Sequence, residues 1–150
     1  MLETIGTIVV PVDFSDASQL ALRTALNVAR RMHSTLHVLH VYQDAFSILS
    51  VRTLDLTPEA VERIMLKEIH ERFDALLDGL GADVPIVTVA RKGDTAESIL
   101  EYSNEIAADL IVIATNARTG LEHIFIGSIT QRIVRTASCP VLTCRATAQS

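Results

Sequence analysis

The stretch in which residue types and spacing could do chemistry runs over residues 109–130, D-L-I-V-I-A-T-N-A-R-T-G-L-E-H-I-F-I-G-S-I-T. It opens as a short apolar run, 110–114, of the kind that a parallel sheet covers on both faces. A polar loop follows over 115–120, and the stretch closes on Gly127-Ser128, where Ile129, Ile133 and Val134 mark one face of a helix running to about Thr136. The first amides of a helix lack internal acceptors, and the aligned peptide dipoles leave partial positive charge there. Strand, loop and helix start in that order suit an anion, and a phosphate above all.

Other chemistries find little support. The P-loop pattern is absent, no lysine stands near Gly127, and no nucleophile elbow or Ser/His/Asp order appears. His37 and His40, three apart on one expected strand, point to opposite faces, and His33, His70 and His123 have no partner at ligand spacing. Cys139 and Cys144 sit five apart near an expected strand and would face opposite ways, so they read as structural thiols and not as a bridge.

The elements that must position the 109–130 stretch can be read from periodicity. Residues 4–12 form the first strand, with Pro11 near its end where a missing N–H is tolerated. Asp13 or Ser15 caps the next helix, which reaches about Met32 on a stripe of Ala17, Ala21, Ala25, Val28 and Met32, broadened by Leu20, Leu22 and Leu26. Residues 35–42 are the second strand, and 44–56 a long loop. Thr57-Pro58-Glu59 starts a helix with Val61, Met65, Ile69, Phe73, Leu76 and Leu80 at helical spacing, ended by Gly79 and Gly81. Residues 84–90 are the third strand. Asp94-x-x-Glu97 opens a further helix with Ala96, Ile99, Leu100, Ser103, Ile106 and Ala107 inward. Residues 139–144 are the fifth strand, before a polar tail. Strands alternating with helices imply one parallel sheet wrapped on both faces by right-handed crossovers.

Bulk properties narrow the field further. The chain of 150 residues is expected to be one domain, 1–150, large enough to bury a core without staples. Net charge is −5 with acids and bases interspersed, which argues against a general nucleic-acid binder yet leaves room for a nucleotide at a local helix start. No apolar run approaches the roughly 20 residues of a membrane span, and the N-terminus lacks a secretory pattern, so a cytoplasmic protein is expected.

The pieces I-V-V-P-V-D-F-S, L-H-V, G-D-T-A-E-S-I-L, A-D-L-I-V-I-A-T, G-S-I-T-Q-R and C-P-V-L, in this order, resemble the universal stress protein family over essentially the whole chain. Nucleotide-binding members carry Gly-x2-Gly-x9-Gly-Ser/Thr here. Gly127 and Ser128 match its end, whereas Ala114 and Ala117 occupy the first two glycine positions. The resemblance implies an α/β fold with a five-stranded parallel sheet of order 3-2-1-4-5, helices on both faces, and a crevice between strands one and four. It further implies that Pro11, Val12 and Val41 hold adenine, and that Asp13 lies by the ribose or the metal-phosphate end. Gly127, Ser128, Ile129 and Thr130 would cradle phosphates, with Ala114, Thr115, Ala117 and Arg118 along the loop. For Asp13 and Ser128, capping a helix is the other reading, and for Arg118 a solvated loop position is.

Three functional classes follow. The first is an ATP-holding regulatory module, with ATP, ADP or AMP bound and Mg2+ or Mn2+ on the phosphates. The second is a family member that binds no ATP and acts as a dimeric adaptor. The third, an enzyme, ranks lowest, because Asp13 alone is a thin basis for activating water. An uncharged edge, Val141-Leu142-Thr143-Cys144, is a pairing template, and the resemblance implies a homodimer through it.

Overall fold

The computed structural model describes residues 4–44, 55–115 and 127–145. Within them five strands alternate with four helices: β1 (Thr7–Pro11), α1 (Asp16–Met32), β2 (Thr35–Tyr42), α2 (Pro58–Leu77), β3 (Ile86–Lys92), α3 (Thr95–Glu105), β4 (Leu110–Thr115), α4 (Ser128–Thr136) and β5 (Val141–Arg145). Every strand pair is parallel, and the order across the sheet is β3-β2-β1-β4-β5, as expected. The expected loops 44–56 and 115–120, His123 and the tail lie wholly or mostly outside the described residues.

Alternation along the strands divides the core into two layers. Ile8, Val10, Leu36, Val38, Leu110 and Val112 pack with α1 and α2, whereas Val9, Leu39, Ile111 and Ile113 pack with α3 and α4. Period-two side-chain placement on doubly covered strands makes each run apolar throughout. His37 and His40 fall on opposite faces, and Cys139 and Cys144 join different layers as free thiols.

β2 falls where the sequence reading put it, and the starts of β1, β3 and β5 come two or three residues later than expected. β1 starts only at Thr7 because the Asp109 carboxylate accepts from the amides of Gly6 and Thr7, at 2.9 and 3.0 Å, in place of a neighbouring strand. β3 begins after Pro85 and runs two residues further, and β5 begins after Pro140, leaving Cys139 ahead of it.

The helix stripes also shift. In α1 the buried positions are Ser18, Ala21, Leu22, Ala25, Leu26 and Ala29, while Leu20 and Met32 are 38% and 41% exposed. The small residues in that stripe let the helix lie close against β1, β2 and β4. In α2 only Ile69 and Phe73 are fully covered. Beyond its end Gly81 takes φ +69°, and a Cβ there would meet Ile86 Cδ1 at 2.6 Å, so this turn requires glycine. In α3 Tyr102 is buried, unforeseen, because its hydroxyl hydrogen-bonds His37 Nδ1 at 2.7 Å.

Candidate functional site

The connections α1 and α2 wind one way on one face, and α3 and α4 the other way on the opposite face, so winding reverses between β1 and β4. The diverging chains open a cleft of about 270 Å³ outside the carboxyl ends of those strands. Seven of the twelve expected site residues line it: Pro11, Val12, Asp13, Val41, Ala114, Ile129 and Thr130. Ala117 and Arg118 lie outside the described residues.

The two valines play different parts. The Val12 amide donates to the Leu39 carbonyl at 2.8 Å, and the Val12 carbonyl accepts from His40 Nδ1–H at 2.8 Å. Its amide is therefore committed and its carbonyl already accepts one bond, so Val12 has no main-chain donor to offer the cleft. Val41 is different. In a parallel ladder a residue sends its N–H and C=O to the same neighbour, alternating along the strand. Leu39 serves β1, and the Tyr42 carbonyl accepts from Gly93 at 3.0 Å on the β3 side. Val41 therefore faces the β1 side, beyond the last β1 ladder residue, Pro11. One donor and one acceptor on adjacent atoms are what a purine edge needs.

Asp13 stands at the cleft rim, open to solvent. Partial burial works against its ionisation, yet hydrogen bonds from the Ser15 hydroxyl and amide outweigh it and hold the carboxyl below its usual value of 3.8. Both Ser15 bonds fall on Oδ1, the amide at 3.0 Å. The cap of α1 is Ser15, whose hydroxyl accepts from the Ser18 amide at 3.3 Å. Asp13 supports that cap without being it, and retains acceptor capacity for a ligand hydroxyl.

The next residue, Phe14, has φ +64°, left-handed backbone in which a bulky side chain is a genuine outlier. The cost is about 1–2 kcal/mol. Its ring packs on His40 (4.6 Å between centroids) and Phe73 (5.5 Å), with the Arg72 guanidinium 5.6 Å from its centre. Aromatic pairs contribute about 0.5–1.5 kcal/mol and an exposed cation–π contact about 0.5–1 kcal/mol, enough to offset the strain.

Three helix starts converge on the cleft, through Ser15 and Ser18 of α1, Thr95 of α3, and Ile129 and Thr130 of α4. α1 is capped by Ser15 and α3 by Asp94, which accepts from the Glu97 amide at 2.9 Å. At α4 the N-cap position is Gly127, with no side-chain cap, and Ser128 is the first helical residue, exposed. Ser128 is thus not the cap that one reading of the sequence made it. Gly127 has φ −57°, so backbone strain is not what calls for glycine there. The head of α4 is tied in place by Thr130, 4% exposed, whose hydroxyl donates to the Ala114 carbonyl at 3.2 Å, and by Arg132, 3.2 Å from Asp94. The Thr130 hydroxyl proton is accordingly already used. The buried Thr115 hydroxyl donates to the Cys144 carbonyl at 3.3 Å and joins β4 to β5 without lining the cleft.

Ala114 is an ordinary strand residue and not among those with positive φ. Its methyl lines the cleft and packs on the α1 layer. Steric intrusion, not backbone strain, is the only effect alanine can have there.

Sequence reasoning missed Ser15, Ser18, Leu39, Thr95, Ile99 and Ile113 as lining residues. Thr95 carried a signal, since it follows the Asp94 cap and every helix of such a sheet starts at the carboxyl edge. Leu39, Ile99 and Ile113 carried none, because buried leucine and isoleucine look alike wherever they sit.

The model of the universal stress protein family matches residues 4–145. The chain is 30% identical to a universal stress protein of Methanocaldococcus jannaschii, covering 90% of this chain and 79% of the other. Among solved structures, a universal stress protein in complex with cAMP aligns with a TM-score of 0.64 at 21% identity, covering 97% of this chain and all of the other (100%). A protein of that family from Arabidopsis thaliana with AMP bound aligns with a TM-score of 0.60 at 17% identity, covering 95% and 93%. At those identities the structural likeness speaks to the fold.

Proposed function

The chain belongs to the universal stress protein family, and from that premise we propose that it is an adenine-nucleotide-binding regulatory module of the stress response. The ligand is ATP, with ADP or AMP as its shorter forms. The observation that carries this reading is the pairing of two features across one cleft: the outward Val41 main chain on one side and, on the other, the first turn of α4, which lines the cleft through Ile129 and Thr130 and whose N-cap, Gly127, brings no side-chain cap. A cavity of about 270 Å³ is a little under the roughly 300–1,000 Å³ of pockets that enclose drug-sized ligands. It suits the nucleoside part, with the phosphates extending along the head of α4 and Mg2+ or Mn2+ neutralising them. Two structural neighbours whose names record cAMP and AMP support the ligand class.

We propose binding without dedicated turnover. Among the described residues Asp13 is the sole acid lining the cleft, and a carboxyl held below its ordinary value is a weak base. Cytoplasmic location and a homodimer through β5 belong to the same reading. A second reading, a dimeric adaptor that binds no ATP, draws on the Ala114 methyl in the cleft and the committed Thr130 hydroxyl.

Denaturing the purified protein and identifying the released small molecules by mass spectrometry separates the two, with calorimetric titration of ATP and Mg2+ beside it. An adenine nucleotide near one per chain, or saturable binding, is expected. An empty extract together with a flat titration supports the adaptor.

A further inference from the structure

We propose that His40 and Phe14, neither of which lines the cleft, are positioning residues that aim Asp13 at the ribose of the bound nucleotide and so set its preference for ribose over deoxyribose. The inference rests on the adenine-nucleotide reading of the cleft and deepens it.

The geometry starts from the end of β1. β1 ends at Pro11, and beyond Val12, whose amide still reaches the Leu39 carbonyl, Asp13 lies outside the ladder. Nothing regular holds it. Ser15 holds one oxygen of its carboxylate, and the backbone on either side of it is held by one imidazole. His40 Nδ1–H donates to the Val12 carbonyl at 2.8 Å, and that carbonyl belongs to the peptide joining Val12 to Asp13. Fixing the plane of this peptide restricts the rotation that swings Asp13 toward or away from the cleft. On the far side, the His40 ring lies 4.6 Å from the ring of Phe14, the residue directly after Asp13.

Phe14 has φ +64°, a conformation that its own backbone does not favour and that its side-chain contacts must maintain. Those contacts are His40 on one side and Phe73 at 5.5 Å and Arg72 at 5.6 Å on the other, so α2 closes the clamp. The left-handed residue reverses the chain, sending the Phe14 ring into the α1–α2 layer while Asp13 stays on the cleft rim. Ser15 then holds only Oδ1 of the carboxylate through its two bonds. An acceptor placed with such limited freedom distinguishes a sugar hydroxyl from its absence far better than a mobile carboxylate does.

The test compares ATP with 2′-deoxy-ATP and 3′-deoxy-ATP by calorimetry, taking whichever analogue binds the wild type less well. His40→Leu removes the donor and Phe14→Met the flat ring, both keeping apolar bulk so that the fold survives, with circular dichroism and thermal melts as the check. His40→Gln restores a donor, and Asp13→Asn is the reference. The wild type should prefer ATP by about tenfold, the yield of one well-placed hydrogen bond to a charged group. Asp13→Asn, His40→Leu and Phe14→Met should each cut that preference by about threefold or more, with deoxy-analogue affinity nearly unchanged, and His40→Gln should recover part of it. A purely structural role would weaken ribo- and deoxy-ligands equally. Folded His40→Leu and Phe14→Met proteins with the full wild-type preference would overturn the clamp while leaving nucleotide binding intact. So would a wild type that binds ATP without any ribose preference. A wild type that binds no nucleotide would instead remove the adenine-nucleotide reading, and this inference with it.

Discussion

At the scale of single residues, Asp13 shows how one turn serves both fold and ligand. Its carboxyl sits below 3.8 because the Ser15 bonds overcome partial burial. A group whose folded value is depressed contributes stability above its unfolded value, and that contribution disappears as pH falls through the folded value. Asp13→Asn should therefore lower stability near neutral pH, by at most about 1 kcal/mol given solvent screening at this open position. The gap from wild type should close in urea titrations once the pH falls well below 3.8. A gap that persists there would mean that geometry, not charge, is what asparagine disturbs. The sequence allowed either Asp13 or Ser15 to cap α1. Ser15 does so because Phe14 adopts left-handed backbone, and a phenylalanine in a sequence announces no such thing.

At the scale of elements, the three described helix starts at the cleft differ in what covers their amides. Ser15 and Asp94 satisfy α1 and α3, and Gly127 offers α4 no side chain. Gly127→Asp would supply a cap worth a few tenths of a kcal/mol over glycine. It would also put a negative charge where a phosphate is proposed to lie. The expected outcome is opposed movement of two readouts: a slightly higher melting temperature and an ATP affinity lower by about tenfold or more. Unchanged affinity in the capped protein would detach the phosphates from this helix. Helix existence and starts were legible from Thr57-Pro58, Asp94 and Gly127-Ser128, since caps are local chemistry. The buried stripe of α1 was legible only in part. Periodicity marks a face, and its exact bearing on the sheet excludes Leu20 and Met32 for reasons of packing alone.

At the scale of the whole molecule, β5 ends the sheet on one side with Leu142 39% exposed and no charge from Val141 to Cys144. An uncharged edge with open backbone groups favours pairing with a second copy. Leu142→Lys and Thr143→Lys should each yield monomers by light scattering. A dimer that survives both changes would exclude this edge as the interface.

The order of elements, the parallel sheet and the helix starts were determined by the sequence itself, because apolar periodicity and capping residues act within a few positions of one another. The resemblance carried by its motifs supplied the strand order and pointed to Pro11, Asp13, Val41 and the Gly127 region. Which groups are still available to a ligand was decided only by the tertiary structure. Val12 lost its amide to Leu39 and one carbonyl bond to His40, Thr130 its hydroxyl proton to Ala114, and Thr115 its own to Cys144, whereas the Val41 main chain was left facing outward past the end of β1. The reason is that a hydrogen bond is satisfied by whatever lies within about 3 Å in space, and these partners are as many as 29 residues apart along the chain.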